Sequence, residues 1–300
     1  MNIVVYGAGA IGSLFGGLLS RQNNVFLIGR KDHVNVIRRK GLEIQGKTNL
    51  LKKISAGSSI DDISFPVDLL LLTVKSFDTE QAIMMASPII DDHTMLINFQ
   101  NGIGNLEIIK TYVSDKKIIP GITTHGSMFI RPGVIRHTGR GKTILGELNG
   151  QKTERIRHLI KCFNDAGINT TLSTAIVKDI FRKAIINASI NPLTAIFQCR
   201  NGYLLKNPVL THILQQICIE STLIARAQGF HINPEEMCNQ TLEVIRETAD
   251  NYSSMVQSIQ KKSQTEIDAI NGNLVDIGKT YGCDTMLNQL LTRIIKSIEL

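Results

Sequence analysis

Hydrophobic residues in the first half of the chain occur in short continuous runs that are bounded by glycine or polar residues. Four of these runs cover residues 3–6, 25–28, 67–74 and 94–99. Continuous apolar runs of this length are typical of strands in a parallel sheet whose two faces are both covered. The segments between the runs include residues 13–19 and 32–40, whose composition and spacing predict helices. The first half therefore predicts a layered α/β fold.

The pattern after residue 117 predicts further strands. Residues 118–125 form another β-branched run, and residues 128–147 predict a hairpin whose arms are residues 133–138 and 142–147. A helix at residues 151–166 and a strand at residues 169–172 complete this half of the chain.

From about Thr174 onward the β-branched runs cease, and the spacing predicts helices alone. These helices are expected at residues 174–190, 208–229 and 234–250, followed by two more, with breaks at Pro192 and at residues 200–202. The expected fold class is therefore α/β plus all-α. An N-terminal α/β domain is expected at residues 1–173 and an all-α substrate or catalytic domain at residues 174–300.

The charge balance favours small anionic partners. The 300 residues include 33 Lys and Arg against 26 Asp and Glu, which gives a net charge of +7. Nucleic acid is not expected as a partner, because the basic residues are scattered, tryptophan is absent and aromatic residues make up only 5% of the chain. Nucleotide phosphates and carboxylates fit this charge better.

Cysteine usage predicts a reduced, cytoplasmic protein, because the five cysteines are odd in number and form no Cys-x-x-Cys pair. No Cys and His cluster has the spacing of metal ligands, so no metal is expected. Residues 3–20 carry no charge, but five glycines interrupt them and no basic cluster precedes them. A strand, a turn and a helix are therefore expected there, and neither a signal peptide nor contact with a membrane.

The first strand runs into a glycine-rich turn. Its six residues are Gly7, Ala8, Gly9, Ala10, Ile11 and Gly12. In this pattern the first glycine permits the tight turn, the second lets the backbone approach a pyrophosphate, and the third lets the helix pack on the strand. The motif alone is weak, but its position between a strand and a helix predicts that the N-terminal domain is a Rossmann-type dinucleotide-binding domain.

Three polar residues follow strands at the edge where a dinucleotide would bind. Arg30 follows the second strand, where an NAD-binding protein would place an acid, so a 2′-phosphate and hence NADPH are expected. The alternative is a solvated pair of loop cations, Arg30 and Lys31, close to Asp32. Lys75 and Asn101 follow two later strands, and ligands bind beyond the carboxyl ends of such strands.

The predicted helix at residues 174–190 carries a polar stripe. Lys183, Asn187 and, one turn on, Asn191 recur every four residues and so share one face of an otherwise apolar helix. Burial would move the lysine pKa towards neutrality, which suits a proton donor. The alternative is a lysine that extends to water beside two amides that bond to the backbone.

A second polar segment lies between the later helices. It includes Asn251 and Ser254, followed by residues 261–272 with Glu266. Hydroxyls and an amide at a helix start can hold a carboxylate. Ser263 with Glu266 also fits a Ser-x-x-Glu capping box, and Thr265 with Asp268 is a second candidate, so the local sequence favours a cap at Glu266.

Together these motifs resemble the ketopantoate reductase (2-dehydropantoate 2-reductase) family along nearly the whole chain. The resemblance rests on the glycine turn, Thr73-Val74-Lys75, Asn101-Gly102-Ile103-Gly104, Thr123-Thr124-His125, Lys183 with residues 187–195, Ser253-Ser254-Met255 and residues 265–272. It implies reduction of the ketone of 2-dehydropantoate with NADPH to give (R)-pantoate, a step in pantothenate and coenzyme A biosynthesis. The implied partner is therefore a small 2-oxoacid, and a homodimer is compatible with this reading.

The resemblance also implies a role for each matching residue. Lys183 would be the general acid, and Glu266 would act where lysine, substrate and cofactor meet. Asn187, Asn191, Asn251 and Ser254 would bind the substrate, and the glycine turn, Arg30, Lys75, Asn101 and Glu266 would bind NADPH. The chain departs from the common family pattern at Ser258, Lys261-Lys262 and Thr285.

Two other functions fit the same residues. One is another NADP-dependent 2-oxoacid or hydroxyacid dehydrogenase on the same fold. The other is a catalytically silent NADPH-binding regulator, although a sensor would need only the first domain.

Overall fold

A computed structural model describes residues 1–299 of the chain. These residues divide into two compact units. The first unit contains Met1–Gln100 and Asn105–Asp179, and the second contains Asn101–Gly104 and the chain from Ile180 onward. The four-residue segment Asn101–Gly104 thus clusters with the helical part of the chain, although it lies between elements of the first unit. The domain division after residue 173 stays a prediction.

Twelve strands form in the described residues, all in the first unit. They are β1 (Asn2–Tyr6), β2 (Asn24–Ile28), β3 (Leu42–Gly46), β4 (Leu50–Lys52), β5 (Ser55–Gly57), β6 (Leu69–Leu72), β7 (Met95–Asn98), β8 (Ile118–Thr123), β9 (Gly126–Arg131), β10 (Val134–Gly139), β11 (Thr143–Leu145) and β12 (Thr170–Leu172).

Twelve α-helices form in the described residues. They are α1 (Ala10–Leu19), α2 (Lys31–Lys40), α3 (Thr79–Ala86), α4 (Asn105–Lys110), α5 (Glu154–Asp165), α6 (Ile176–Phe197), α7 (Tyr203–Lys206), α8 (Pro208–Ala227), α9 (Pro234–Glu247), α10 (Ser254–Gln260), α11 (Asn273–Thr280) and α12 (Met286–Glu299). The mixed sheet unit followed by helices confirms the expected fold class, α/β plus all-α.

The large sheet has the strand order β5-β2-β1-β6-β7-β8-β11-β12, and its first six strands are parallel. The chain order reverses between β1 and β6, and this reversal is the point where open α/β sheets bind ligands. All four leucines of β6 are fully buried. Their burial explains the continuous apolar run, because a strand covered on both faces needs apolar side chains in both directions.

A smaller sheet has the strand order β4-β3-β10-β9. Its pairing shows that the arms of the predicted hairpin were assigned wrongly. The hairpin forms between β9 and β10, with Gly133 at a φ of +78° in the turn. The two predicted arms belong to different sheets, because β10 pairs with β3 and β11 pairs with β8 and β12. These partners are remote in sequence, so the local pattern could not reveal them.

The break predicted at Pro192 is also wrong. Pro192 lies inside α6 rather than at a break, and the helix continues to Phe197. Proline removes the N–H that would bond to the carbonyl of Ala188, four residues earlier. The side chain of Asn271 donates to this carbonyl at 3.1 Å in place of the absent helical bond, so the carbonyl of Ala188 still has a donor. None of the helices in residues 1–299 combines the length and the apolar character that a membrane-spanning helix requires.

Candidate active site

The glycine turn between β1 and α1 has the tight geometry that the sequence predicts. Gly7 adopts a φ of +110°, and a Cβ there would lie 2.6 Å from the backbone nitrogen of Val74. A Cβ on Gly12 would overlap the carbonyl oxygen of Gly7. Both positions therefore require glycine, because any side chain would separate α1 from β1 and β6.

The start of α1 is suited to an anion. Gly9 is its N-cap and provides no side-chain cap, and the first turn contains no acidic residue. The first N–H groups of a helix have no partner within the helix and carry its positive dipole. Gly9 is exposed, and a Cβ there would meet no atom closer than 3.9 Å. The turn therefore fits the pyrophosphate of a dinucleotide, which would approach the backbone at Gly9.

Two exposed cations lie at the ends of strands in the first unit. Arg30 is the N-cap residue of α2, and its guanidinium has no hydrogen bond or ion pair within residues 1–299. Lys75 follows β6, and Gln100 holds the local backbone by donating from Nε2 to the carbonyls of Val74 (3.1 Å) and Lys75 (3.3 Å). An exposed guanidinium in the turn after β2 is suited to a phosphate.

The second unit brings together three of the expected site residues. Lys183 on α6 donates from Nζ to Oδ1 of Asn101 at 3.0 Å. Asn101 in turn donates from Nδ2 to Oε2 of Glu266 at 3.2 Å. Glu266 is only 6% exposed, so its carboxylate lies in a region with little water. Asn101, expected only as a cofactor contact, thus connects an ammonium to a carboxylate.

The surroundings of Lys183 change its acidity. Burial lowers the pKa of Lys183 from 10.5 to about 8, and the negative charge of Glu266 opposes this shift by raising the pKa. A lysine with this pKa stays mostly protonated at neutral pH, yet it gives up its proton more readily than an exposed lysine. The lowered pKa therefore favours the interpretation of Lys183 as a general acid over the alternative in which its side chain extends to water.

The two asparagines on α6 have free side-chain amides. Asn187 is half-buried and Asn191 is 6% exposed. Neither side chain makes a hydrogen bond within residues 1–299. Amides in an apolar helix normally find a partner in the protein. The two amides lie one and two turns after Lys183. Their unpaired donors and acceptors are therefore suited to a polar ligand.

The start of α10 presents the second group of expected substrate contacts. Asn251 and Ser254 are exposed, whereas Ser253 between them is buried and caps the helix by accepting the N–H of Val256 at 3.2 Å. Thr194 on α6 donates to the Ser253 hydroxyl at 2.8 Å. This bond fixes the start of α10 to α6. The pattern of the sequence does not reveal it, because the partners are 59 residues apart.

The capping box expected at Ser263 is wrong. Both the N–H and the hydroxyl of Ser263 donate to the carbonyl of Ser258 at 3.0 Å, and the next helix begins only at Ile267. The hydroxyl of Thr265 accepts the N–H of Ile267 at 3.2 Å and so takes the capping role. Glu266 instead directs its carboxylate to Asn101. The local motif failed because the segment folds into a π-helical turn, Asp268–Gly272, rather than a regular first helical turn.

The first unit and its glycine turn define a Rossmann-type fold, followed by a helical unit with a lysine, an asparagine and a glutamate in contact. The chain belongs to the family described as Ketopantoate reductase PanE/ApbA, whose sequence model matches residues 3–150 and whose C-terminal model matches residues 175–299. This match confirms the resemblance that the motifs indicated.

Several known proteins are similar to the chain over its full length. The 2-dehydropantoate 2-reductase of Pyrococcus horikoshii is 39% identical over 302 residues, covering 100% of this chain and 98% of that protein. The structure of 2-dehydropantoate 2-reductase from Geobacter metallireducens GS-15 is 26% identical with a TM-score of 0.93, and the match covers 99% of each chain. The ternary structure of D-mandelate dehydrogenase with NADH and anilino(oxo)acetate is 29% identical with a TM-score of 0.94, covering 100% and 98%.

Proposed function

We propose that this protein reduces the ketone of 2-dehydropantoate to (R)-pantoate with NADPH, a step in pantothenate and coenzyme A biosynthesis. The observation that carries the proposal is the bonded series Lys183, Asn101 and Glu266. It lies in the second unit of a chain whose family and full-length relatives carry the reductase name.

NADPH is the proposed cofactor. The glycine turn and the uncapped start of α1 fit a pyrophosphate, and the exposed guanidinium of Arg30 provides a bidentate partner for a 2′-phosphate. The first turn of α2 does contain Asp32, but this carboxylate follows the cation rather than taking its place. Lys75 and Asn101 are proposed as further cofactor contacts.

The proposed mechanism requires one proton from the protein. When bound, NADPH supplies the hydride that reduces the carbonyl carbon. Negative charge then develops on the carbonyl oxygen, and Lys183 stabilises it and donates the proton from Nζ. With a pKa of about 8, roughly nine-tenths of Lys183 is protonated at pH 7, so the donor is ready in most molecules.

Asn101 and Glu266 keep Lys183 in its working state. Asn101 accepts a hydrogen bond from the ammonium and so fixes its position, which saves entropy during the reaction. Glu266 raises the pKa of Lys183 and thereby keeps the proton on a lysine that burial would otherwise deprotonate.

Four side chains are proposed to bind the 2-oxoacid. Asn187 and Asn191 offer free amides on the face of α6 that carries Lys183, and Asn251 and Ser254 offer exposed polar groups at the start of α10. Amides and hydroxyls can hold a carboxylate and a hydroxyl without adding charge beside the ammonium.

A second candidate is reduction of a different 2-oxoacid. The similarity to D-mandelate dehydrogenase, whose structure contains NADH, favours this alternative. A silent regulator is less consistent with the chain, because it would have no use for a lysine whose pKa is lowered to about 8.

Steady-state kinetics with purified protein tests these alternatives. NADPH consumption is measured with 2-dehydropantoate and with an aromatic 2-oxoacid, and each is repeated with NADH. The proposal requires the highest kcat/KM for NADPH with 2-dehydropantoate. Higher kcat/KM for the aromatic acid would favour the second candidate, and tight NADPH binding without turnover on either acid would favour the regulator.

A further inference from the structure

The π-helical turn Asp268–Gly272 begins two residues after Glu266, in the segment where the sequence predicts an ordinary helix start. A π-helical turn holds one residue more than an α-helical turn and leaves carbonyl groups available for other donors. The carbonyl of Ala269 accepts the N–H of Ile103 at 2.8 Å. A Cβ on Gly102, whose φ is +88°, would lie 2.8 Å from the carbonyl carbon of Ala269. The loop that carries Asn101 therefore packs directly on this turn.

Asn273, directly after the turn, strengthens the contact with that loop. Its Nδ2 donates to the carbonyl of Ile103 and, at 3.3 Å, to the carbonyl of Ala269. Ile103 in the loop Asn101–Gly104 is thus held to the turn by one backbone bond and one side-chain bond. Asn101 begins this loop two residues before Ile103, so the bond from Asn273 to Ile103 restricts the backbone that carries the Asn101 side chain.

Asn271, inside the turn, makes the corresponding contact with α6. Its Nδ2 donates at 3.1 Å to the carbonyl of Ala188, whose usual helical donor four residues on is absent because Pro192 lacks an N–H. Ala188 directly follows Asn187 and lies between Lys183 and Asn191 along α6. Asn271 therefore binds α6 in the middle of its polar stripe.

A buried network fixes Asn271 in turn. Its Nδ2 also donates to Oδ1 of Asn288 at 2.9 Å, and Asn288 donates from Nδ2 to Oε1 of Glu220 at 2.7 Å. Glu220 accepts the N–H groups of Leu287 and Asn288 at 2.9 Å each, at the start of α12. Both asparagines are fully buried. Buried polar groups are costly unless they are bonded, and the bonds of Asn271 Nδ2 and of the Asn288 amide favour one geometry. The Oδ1 of Asn271 is buried without a hydrogen-bond partner within residues 1–299.

We propose that Asn271 and Asn273 are positioning residues that fix α6 and the Asn101 loop to the segment of Glu266, and so set the geometry of Lys183, Asn101 and Glu266. This inference deepens the proposed function and rests on it for its kinetic readout. The two asparagines are proposed to touch neither substrate nor cofactor and to act through Ala188 and Ile103. An apolar side chain of similar size would fill the same space but would release both backbone segments.

Asn271→Leu and Asn273→Leu test the proposal, with Thr241→Val as the control. Thr241 is also fully buried in the second unit and bonds to the carbonyl of Met237 at 2.8 Å and to Sγ of Cys218 at 3.6 Å. Within residues 1–299 it makes no hydrogen bond to Asn271, Asn288 or Glu220. For each variant four quantities are measured. Three are the melting temperature, the NADPH dissociation constant by direct titration, and kcat with 2-dehydropantoate. The fourth is the pH dependence of Lys183 acylation by an amine-reactive ester, followed by mass spectrometry, which needs no substrate.

The proposal predicts that both asparagine variants lower kcat by about 10-fold or more, with NADPH affinity within about twofold of wild type. It also predicts a shifted pH midpoint of Lys183 acylation in both variants. Thr241→Val should lower the melting temperature while kcat and that midpoint stay at wild-type values. If Asn271→Leu does not fold, the half-buried Asn273→Leu decides the outcome by the same criteria.

The proposal would be overturned if the asparagine variants had a lowered melting temperature but kept the wild-type kcat and acylation midpoint. The network would then have a purely stabilising role. The acylation result also separates this inference from the proposed function. If the wild-type protein does not reduce 2-dehydropantoate, the proposed function fails, and the shifted or unshifted midpoint of Lys183 still decides the positioning role.

Discussion

The Nζ atom of Lys183 lies 3.0 Å from Oδ1 of Asn101, a residue 82 positions earlier in the chain. Asn101 also donates to Glu266, which lies 165 positions after it. One amide therefore bonds to both a cation and an anion, with its oxygen towards the ammonium and its nitrogen towards the carboxylate. This arrangement uses both ends of the asparagine side chain and would be lost if it were replaced by aspartate or leucine.

The pH dependence of turnover should follow the ionisation of Lys183. The lysine must be protonated to donate, and burial lowers its pKa to about 8, with Glu266 opposing the shift. The kcat of the wild-type enzyme should therefore be high at neutral pH and fall as the pH rises through about 8. A plateau that extends to pH 10 would show that another group supplies the proton. The measurement is a pH–rate profile at saturating concentrations of NADPH and 2-dehydropantoate.

Replacing Glu266 by glutamine should change both the rate and that profile. The charge of Glu266 raises the pKa of Lys183, so Glu266→Gln should move the high-pH decline to lower pH. The kcat at neutral pH should fall by about 10-fold or more, because less lysine is protonated and its contact through Asn101 is weakened. Asp276→Asn is the matched control, since Asp276 is an exposed carboxylate on α11. An unchanged profile for Glu266→Gln with a lowered melting temperature would contradict the catalytic role and leave Glu266 a purely stabilising one.

Arg30 should determine the choice between NADPH and NADH. Arg30→Ala would remove the proposed charge-assisted contact to the 2′-phosphate and should raise the KM for NADPH by roughly 10-fold or more. The KM for NADH should stay nearly constant, because NADH has no 2′-phosphate. Arg39→Ala, which removes an exposed cation near the other end of α2, serves as the control. Equal losses with both cofactors would contradict the role of Arg30.

Acid should destabilise the first unit through His125. Burial, and secondarily the charge of His137, lower the pKa of His125 from 6.5 to about 4. The unfolded chain therefore binds a proton near pH 6.5 that the folded chain accepts only near pH 4. The free energy of unfolding should decrease as the pH falls through this window, by up to about 3 kcal/mol, and His125 should contribute no pH dependence above it.

His125→Phe isolates this effect. Phenylalanine preserves the edge contact that the His125 ring makes with Phe15 at 5.7 Å, but it cannot be protonated. Denaturant unfolding at several pH values should show a shallower decrease between pH 6.5 and 4 in the variant than in the wild type. Parallel curves for the two proteins would mean that other groups, such as His33, cause the acid sensitivity. Burial also lowers the pKa of His33 to about 4.

The parts of the fold that the sequence predicts correctly are those that local patterns determine. The run at residues 69–72 is apolar because β6 is covered on both faces, and Gly7 is a glycine because its φ is +110°. Pro192 misled the prediction because its missing donor is replaced by Asn271, 79 positions later. The hairpin at residues 128–147 was wrong because strand partners are chosen by the whole sheet.

The same distinction applies to the candidate site. Lys183, Asn187 and Asn191 share one face of α6, which the four-residue spacing alone predicts. The bonds that connect Lys183 to Asn101 and Asn101 to Glu266 span 82 and 165 positions, and no local rule reveals them. At Glu266 the capping motif pointed to a different role, because a π-helical turn cannot be distinguished from an α-helix by apolar spacing.

The central claim is that Lys183 is the proton donor in an NADPH-dependent reduction of 2-dehydropantoate. Its most direct test is the loss of NADPH absorbance on addition of 2-dehydropantoate, compared between the wild type and Lys183→Ala, with Lys178→Ala on the same helix as control. We expect rapid loss for the wild type and the control, and a kcat lower by about 100-fold or more for Lys183→Ala with NADPH binding retained. Near-normal turnover by Lys183→Ala, or no turnover by the wild type, would contradict it.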